Sequence, residues 1–368
     1  MTVTRRMLMA AAGAAAAAPT VAAAPDPIAG WTVINALGGL GDPNHPDAKE
    51  VSPRMLADAH ASGQTAVNIT LGYVFGPGDP YEKTVKDIAE SDEDIRTHSK
   101  DLMKVLTAAD IGRAKAERKI GLIYGFQNCA MMGQDAKRVD EFAGKGVRVF
   151  QLTYNNQNQL GGGSMADERL GLTPFGRDVV ERINANRCMV DLSHSGRQIC
   201  LDAARASKQP ISINHTGCRA LTDLPRNKTD EELKLVADKG GFVGIYFMPF
   251  LNLSGHATAA DVVAHIEHAL RVCGEDHVGV GTDGGTTQID DLDAYKAALS
   301  KEHDERVKAG ISAPGERADT YPFVEDLRGP DQFRKLARLL AARGHKPRVV
   351  ERILGGNFLR YARDIWGA

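Results

Sequence analysis

The chain has 368 residues, a formal net charge of −2, and 43% hydrophobic and 25% charged residues. These values are typical of a globular protein and exclude a disordered or fibrous one. The 45 basic and 47 acidic residues nearly balance, so the composition shows no electrostatic footprint for nucleic acid. The five cysteines form no Cys-x-x-Cys pair, and we expect buried free thiols rather than a disulfide framework.

Residues 1–24 have the features of an export signal. The twin-arginine pattern Arg5-Arg6 precedes an alanine-rich apolar run, and small residues at 21–24 supply a cleavage zone. The apolar run is shorter than the roughly 20 residues that span a bilayer. The alternative, an alanine-rich N-terminal helix, is disfavoured by two prolines. The sequence therefore predicts export by a twin-arginine signal to the periplasm or outside the cell, with residues 25–368 as the mature single domain.

Short, apolar, β-branched runs alternate with amphipathic helical patterns through the rest of the chain. The predicted strands are Thr32–Leu37, Thr65–Leu71, Ile120–Gln127, Val147–Thr153, Met189–Ser193, Pro210–Asn214, Phe242–Phe247 and His277–Thr282. Helical patterns between them include Ser52–Ser62, Phe175–Asn186, Thr229–Lys239 and Ala259–Val272. This alternation implies parallel pairing through right-handed crossovers. Eight such units predict an α/β fold, a (β/α)8 barrel of the TIM type, rather than an open sheet.

The chain departs from this alternation after residue 282. After the eighth predicted strand, residues 283–329 form a long polar stretch, in which we predict an extended loop or lid. Two helices, Asp331–Arg343 and Pro347–Leu354, are predicted to close the chain. Outside the export signal, no stretch approaches the length of a transmembrane segment.

Polar residues stand at the carboxyl ends of the predicted strands, where barrels of this type hold their active sites. In chain order they are Gln127, Thr153-Tyr154-Asn155, His194, His215 and Asp283. Because neighbouring strands lie about 4.8 Å apart, the two imidazoles could reach one ion. Two histidines and a carboxylate are a known catalytic zinc set. The sequence therefore predicts a zinc held by His194 and His215, with Asp283 as third ligand or as base for the metal-bound water. For each histidine alone, the alternative is a hydrogen-bonded core residue.

Several motifs in one order resemble the membrane (renal) dipeptidase family, which are zinc peptidases on an amidohydrolase-type barrel. The resemblance spans about residues 31 to 366. Its most specific pieces are Val190–His194, Pro210–His215, Arg226-Asn227, Gly274–Asp283 and Gly355–Arg360.

The resemblance implies a role for each matching residue. It implies that His194 and His215 hold the family's second zinc. It implies that Asp283 handles the proton on the attacking water and the leaving amine. Arg226 matches the arginine that grips the substrate's C-terminal carboxylate, a task suited to its bidentate fork. Tyr154 stands where some members have a histidine that contacts substrate.

Two departures from the family pattern affect the metal site. Leu37 and Gly39 stand where the family has the His-x-Asp pair of its first strand, and Gln127 replaces the bridging glutamate. Leucine and glycine offer no ligand, and glutamine offers only a neutral oxygen, so we expect one zinc per chain rather than two. A nearby His-x-Asp, His45 to Asp47, is interpreted as a solvated loop rather than a substitute.

Two hypotheses follow for the function. The first is a metal-dependent hydrolase of dipeptides or related small amides that carry a free carboxylate. In it Gln127 positions water or substrate and Arg226 selects the carboxylate. The second is a non-hydrolytic or divergent dipeptidase-like protein that binds or matures a secreted peptide-like ligand. The sequence decides neither the side-chain preference nor whether the chain forms a homodimer.

Overall fold

The computed structural model describes residues 25–367, except positions 47, 49, 309, 311 and 313. The predicted export signal and Asp47 therefore lie outside the described residues. Eight parallel strands form a nearly closed barrel in their chain order, and a short extra strand at 102–104 pairs with the strand that follows it, outside this path. Helices follow most strands in the chain. The predicted (β/α)8 barrel is confirmed.

The strands agree with the apolar runs of the sequence. They are β1 (Val33–Gly38), β2 (Gln64–Thr70), β3 (Leu102–Lys104), β4 (Ile120–Phe126), β5 (Val147–Gln151), β6 (Met189–Asp191), β7 (Ser212–Thr216), β8 (Phe242–Ile245) and β9 (Val278–Val280). Every residue of β4 is buried. Burial on both faces is expected for a parallel sheet covered by helices, and it explains why these strands are apolar without alternation.

Twelve α-helices lie within the described residues. They are α1 (Pro53–Ala61), α2 (Pro80–Thr97), α3 (Ala108–Glu117), α4 (Arg138–Gly144), α5 (Pro174–Ala185), α6 (Arg197–Ala206), α7 (Asp230–Asp238), α8 (Ala259–Cys273), α9 (Leu292–Lys308), α10 (Gln332–Ala342), α11 (Pro347–Glu351) and α12 (Asn357–Trp366). Ser52, Thr107, Thr173 and Thr229 begin their helices by accepting a hydrogen bond from a first-turn backbone N–H. Such caps satisfy amides that the helix leaves unpaired. None of the helices in the described part of the chain is long and apolar enough to cross a membrane.

The barrel closes where the end of β1 meets the residues that follow β9. The Asp283 N–H donates to the Leu37 carbonyl at 2.9 Å. The Asn35 side chain bonds Thr282 twice, through the Thr282 N–H and through the Thr282 hydroxyl, both at 2.8 Å. These bonds join residues that are far apart in the sequence. They fix Asp283 at the mouth of the barrel, beside the ends of the other strands.

Three predicted features need correction. The three-residue strand β3 is too short to show a period and was not predicted. The polar stretch 283–329 contains α9, whose described residues include no buried one, so it lacks the apolar face that marks a helix in sequence. The predicted helix Pro347–Leu354 is α11 followed by a π-turn and then by α12. Gly355 lies in that turn. This position requires glycine, because a Cβ there would sit 2.0 Å from the Thr32 carbonyl oxygen.

Candidate active site

Two histidines meet at the carboxyl ends of neighbouring strands. His215 lies in β7, and His194 follows β6 by three residues. Their ring centres are 5.0 Å apart. Both rings are buried, and burial lowers the pKa of each well below its usual value, so both imidazoles are neutral. The sequence-based expectation that these side chains meet at the barrel mouth agrees with this geometry.

The ends of β6 and β7 are held together beneath these histidines. Asp191 accepts hydrogen bonds from the Ser193 and Asn214 backbone N–H groups, each at 3.0 Å. The Ser193 hydroxyl in turn accepts from the His215 N–H at 3.1 Å. Burial raises the pKa of Asp191. Because regular pairing between β6 and β7 is limited to one residue pair, these side-chain bonds fix the direction of both histidines.

His194 has a partner on each ring nitrogen. Its Nδ1 lies 2.7 Å from the Asn155 Oδ1, and its Nε2 lies 3.2 Å from a guanidinium nitrogen of Arg226. Arginine can only donate, so Nε2 is the acceptor and Nδ1 carries the proton. Tyr154 stacks on the same ring, with 4.2 Å between ring centres. His215 differs, because neither of its buried ring nitrogens has a hydrogen-bond partner among the described residues.

Arg226 is a buried cation at the mouth of the barrel, with a relative exposure of 2%. One guanidinium nitrogen donates to the Ser193 carbonyl at 2.7 Å, and another donates to His194. The guanidinium also lies 5.7 Å from the centre of the Tyr246 ring. No Asp or Glu among the described residues forms an ion pair with it, so its charge has no direct anionic partner.

Asp283 is placed by an unusual backbone conformation. Its φ is 58°, in the left-handed region that non-glycine residues seldom adopt. Burial raises the pKa of its carboxyl to about 6, although the positive charges of Arg226 and Arg306 act to lower it. A carboxyl with this pKa exchanges a proton readily near neutral pH. Strain of this kind is common at functional sites.

A cavity of about 250 Å³ joins these groups, and Tyr154, His194, Arg226 and Asp283 all line it. Its outer wall comes from the segment after β9 and includes Arg306 of α9. Arg306 pairs with Glu316 at 2.9 Å and interacts with the Tyr154 hydroxyl. The polar stretch 283–329 therefore covers the mouth of the barrel, as predicted for a lid.

Gln127 lies apart from this cavity. Its side-chain nitrogen donates to the Thr70 hydroxyl at 2.8 Å, and its backbone carbonyl accepts from the Gln151 side chain. The cavity wall does not include it. The structure thus brings Tyr154, His194, His215 and Asp283 close to one another, whereas Gln127 joins β2, β4 and β5.

The sequence pattern of one protein family, described as membrane dipeptidase (peptidase family M19), matches residues 53–301, more than half of the chain. The chain belongs to the membrane dipeptidase family. Among curated proteins it is 26% identical over 301 residues to an uncharacterized protein in the pqqA 5′ region of Klebsiella pneumoniae. That match covers 79% of this chain and 98% of the Klebsiella protein.

Solved structures of similar proteins include an amidohydrolase from Pseudomonas aeruginosa. It is 33% identical, with a TM-score of 0.77, and the match covers 92% of this chain and 97% of that one. A Rhodobacter sphaeroides metallopeptidase liganded with a phosphinate mimic of L-Ala-D-Ala is 18% identical, with a TM-score of 0.74 over 91% of this chain and 99% of that one. At this identity the second likeness shows the shared fold alone. Membership of the membrane dipeptidase family supports metal-dependent dipeptide hydrolysis as the general activity of this group of proteins.

The metal implied by the membrane dipeptidase family can be tested against the donors present. Two imidazoles on one tetrahedral zinc have ring centres about 5 Å apart, given zinc–nitrogen bonds of about 2.0 Å, and the His194–His215 pair has this spacing. However, Arg226 donates to the lone pair that His194 would offer. Within the described residues, no group of three or more His, Cys, Asp or Glu side chains is arranged to hold a metal. As arranged, the donor set does not fit a resident zinc ion.

Sequence reasoning gave no role to three residues of the site. Asn155, which the sequence places at the end of a strand, orients His194. Arg306 and Glu316 line the cavity from the segment after β9. The sequence of that segment has no pattern that indicates which of its side chains face the cavity. Only the path of the chain across the barrel mouth brings them there.

Proposed function

We propose that this chain binds a small peptide-like molecule by its free carboxylate at the barrel mouth. Arg226 is the anion-binding group, and Asp283 forms a hydrogen bond with the neighbouring amide. In this proposal the chain is a divergent member of the membrane dipeptidase family. We also propose that residues 1–24 are an export signal, which directs the protein to the periplasm or outside the cell.

The observation that carries this proposal is that Arg226 is a buried cation with no carboxylate at ion-pair distance among the described residues. Lys228, the other fully buried cation among the described residues, has the Glu232 carboxylate at 3.6 Å. Within the same part of the chain, no carboxylate lies at this distance from Arg226. Removing a guanidinium from water costs several kcal/mol unless an anion compensates it. A planar carboxylate matches the parallel N–H groups of a guanidinium, so a ligand carboxylate is the partner that this position favours.

Asp283 supports the second part of the proposal. It lines the same cavity as Arg226, so a ligand held by its carboxylate presents the adjoining amide within that cavity. The pKa of Asp283 is raised to about 6 by burial, so both its protonated and its ionised form are populated near neutral pH. The protonated form can donate a hydrogen bond to the amide carbonyl, and the ionised form can accept one from the amide N–H.

Zinc-dependent hydrolysis with one ion is the second candidate function. It is favoured by the 5.0 Å spacing of the imidazoles and by the two nitrogens of His215, which have no hydrogen-bond partner among the described residues. The hydrogen bond from Arg226 to Nε2 of His194 opposes it, because that lone pair has to be free before the histidine can bind an ion. We therefore place carboxylate binding first.

Calorimetry on metal-free mature protein tests the proposal with two probes that differ only in the carboxylate, N-acetylglycine and N-acetylglycinamide. We expect the acid to bind at least roughly tenfold more tightly than the amide, as a charge-assisted bidentate contact predicts. Arg226→Gln should remove this preference. The matched control is Arg219→Gln, which alters a partly exposed arginine that pairs with Glu168 and Asp223. Equal affinity for acid and amide, or an unaffected Arg226→Gln variant, would reject the proposal.

The two candidate functions are separated by a hydrolysis assay. Wild type is incubated with a dipeptide panel after zinc loading and after chelation, beside His215→Ala and Asp283→Asn. Turnover that requires zinc, His215 and Asp283 together would establish the second candidate. Binding of N-acetylglycine without turnover in either preparation supports the first.

A further inference from the structure

His194 lies in a tight turn beyond the end of β6. The turn is closed by the Ser195 N–H, which donates to the Leu192 carbonyl at 3.0 Å. A turn of this kind bonds only its first carbonyl, so the carbonyls of its later residues need donors from elsewhere. The direction of the His194 side chain therefore depends on what binds those carbonyls.

Two cationic side chains from one short loop bind the carbonyl groups on either side of His194. Arg226 donates to the Ser193 carbonyl at 2.7 Å, and the Lys228 ammonium donates to the Ser195 carbonyl. Both cationic side chains are buried. The turn that carries the histidine is thus bonded before and after it by the same loop.

The backbone of Lys228 joins this loop to the segment that follows β7. Its N–H donates to the Gly217 carbonyl at 3.0 Å, and its carbonyl accepts from the Arg219 N–H at 2.8 Å. Since β7 carries His215, the backbone of Lys228 is fastened beside one histidine and its side chain to the turn of the other. Lys228 therefore connects the two strand ends at which the histidines meet.

A buried carboxylate holds the Lys228 ammonium at this carbonyl. Glu232 lies 3.6 Å from it, and the two side chains are 2% and 3% exposed. The other oxygen of Glu232 accepts from the Thr229 N–H at 2.9 Å and so is fixed at the start of α7. A buried ion pair often adds no net stability, because removing both charges from water costs about as much as their attraction returns. The pair is better explained by the position that it gives to the ammonium.

We infer that Lys228 is a positioning residue for the carboxylate site. By binding the Ser195 carbonyl, it keeps His194 where Nε2 accepts from Arg226, and this contact fixes the direction in which the guanidinium meets a ligand. A second donor near the Ser195 carbonyl, the Cys200 thiol at 3.7 Å, is weak. Lys228 is not part of the cavity wall, so it acts through these residues. The inference rests on the proposed function, because it concerns the affinity of Arg226 for a ligand carboxylate.

Paired substitutions separate the effect of the donor from that of the ion pair. Lys228→Met together with Glu232→Gln removes the donor to Ser195 and leaves no buried charge without its partner. Glu232→Gln alone keeps the donor, offers it an amide oxygen and can still cap α7. The matched control is Lys234→Met, which breaks an exposed pair with Asp238 on the same helix.

Calorimetry with N-acetylglycine and N-acetylglycinamide is the first measurement. The double variant should bind the acid roughly tenfold more weakly than wild type, with the affinity for the amide unchanged, because a misaligned guanidinium loses one of its two parallel hydrogen bonds. Glu232→Gln should change the ratio of acid to amide affinity by less than about threefold. Lys234→Met should leave that ratio as in wild type.

The side-chain ¹⁵N spectrum of His194 is the second measurement, and a general loss of stability would not change it. Protonated and unprotonated ring nitrogens differ in ¹⁵N chemical shift, so the spectrum reports which nitrogen carries the proton. Wild type should show a protonated Nδ1 and an unprotonated Nε2, as the contacts with Asn155 and Arg226 require. The double variant should populate both tautomers and give averaged shifts.

The outcomes distinguish this inference from the proposed function. A double variant that keeps both the acid preference and the wild-type tautomer overturns the inference and leaves carboxylate binding intact. Equal losses in the double variant and in Glu232→Gln also overturn it, because the ion pair would then be responsible. Equal binding of acid and amide by wild type rejects the proposed function. In that case averaged shifts in the double variant uphold the effect of Lys228 on His194, and an unchanged tautomer overturns it.

A second variant applies if the double variant does not fold. Lys228→Gln with Glu232→Gln keeps both positions polar, and its side chain is one bond shorter than that of lysine. It should therefore release the Ser195 carbonyl and give the same weaker acid binding and averaged shifts. Wild-type acid affinity and tautomer in this folded variant would overturn the inference.

Discussion

Arg226 and His194 share one hydrogen bond, with 3.2 Å between a guanidinium nitrogen and Nε2. The bond fixes the tautomer of His194, because the protonated Nδ1 must then point at Asn155. It also places a permanent positive charge at the lone pair that would otherwise bind a metal. One contact thus decides both the protonation state of the histidine and the affinity of the site for cations.

We predict that purified mature protein contains much less than one zinc per chain. Arg226→Ala frees the His194 lone pair and removes the repelling charge, so it should raise zinc affinity roughly tenfold or more. Arg219→Ala is the control for a lost surface charge. The measurements are elemental analysis of the isolated protein and competition with a chromophoric chelator. One firmly bound equivalent in wild type would contradict this prediction.

Ligand binding should weaken as the pH rises through the pKa of Asp283. The pKa is raised to about 6, so the carboxyl is largely neutral at pH 5 and ionised at pH 7.5. The ligand carboxylate is ionised at both values, so repulsion from ionised Asp283 appears only at the higher pH. We expect affinity for N-acetylglycine to fall about threefold to tenfold from pH 5 to 7.5. Asp283→Asn should make the affinity independent of pH, and an equal slope in that variant would refute the prediction.

Asp283 should also contribute to the pH dependence of stability. Its folded-state pKa of about 6 is above the ordinary value of 3.8, so between these values the folded chain binds more protons than the unfolded chain. The contribution of Asp283 to the free energy of unfolding therefore decreases as the pH rises from about 4 to about 6. Asp283→Asn removes that decrease, so the variant should gain stability relative to wild type over this window. Urea unfolding at pH 4.5 and 7 measures the free energy of unfolding of each protein, with exposed Asp293→Asn as the control. The same change between the two pH values in wild type and in both variants would contradict this prediction.

Arg306 should hold α9 closed over the cavity. Its guanidinium pairs with Glu316 and lies 5.6 Å from the centre of the Phe75 ring, while α9 has no buried residue of its own among those described. A helix with so few buried contacts opens easily. Arg306→Ala should increase hydrogen exchange of α9 severalfold and speed ligand release. Lys301→Ala on the same helix is the control. Similar hydrogen exchange in the two variants would mean that Arg306 does not hold α9 over the cavity.

Closure of the barrel should depend on Gly281. A Cβ at this position would lie 2.1 Å from the Asn214 carbonyl oxygen and 3.0 Å from the Leu37 backbone nitrogen. Gly281→Ala should therefore lower the free energy of unfolding by about 3 kcal/mol, by forcing backbone apart at the junction of β1, β7 and β9. Gly112→Ala in α3 meets no atom and should instead stabilise by about 0.5–1 kcal/mol, since glycine is unfavourable within helices. Chemical denaturation gives the free energy of unfolding of both variants. An unchanged value for Gly281→Ala would show that the backbone at this junction shifts to make room for the methyl group.

The barrel itself was predictable because its signal is local. Buried parallel strands such as β4 are apolar along their whole length, and caps such as Thr229 stand next to the helices they begin. Strand ends are therefore visible in the sequence, and so are the polar residues that follow them. By contrast, α9 and β3 were missed, because one has no buried face and the other is too short to have a period.

The amino-acid sequence alone determined which strand-end residues stand at the barrel mouth, since strand order and parallel pairing put every carboxyl end on one side. It also determined that Leu37 and Gly39 cannot bind a metal, because side-chain chemistry does not depend on the fold. Only the tertiary structure decided that Arg226 bonds His194, that Gln127 turns to Thr70, and that Lys228 bonds Ser195. These contacts join residues from different strands and loops, and side-chain direction at such a junction depends on how all the neighbours pack.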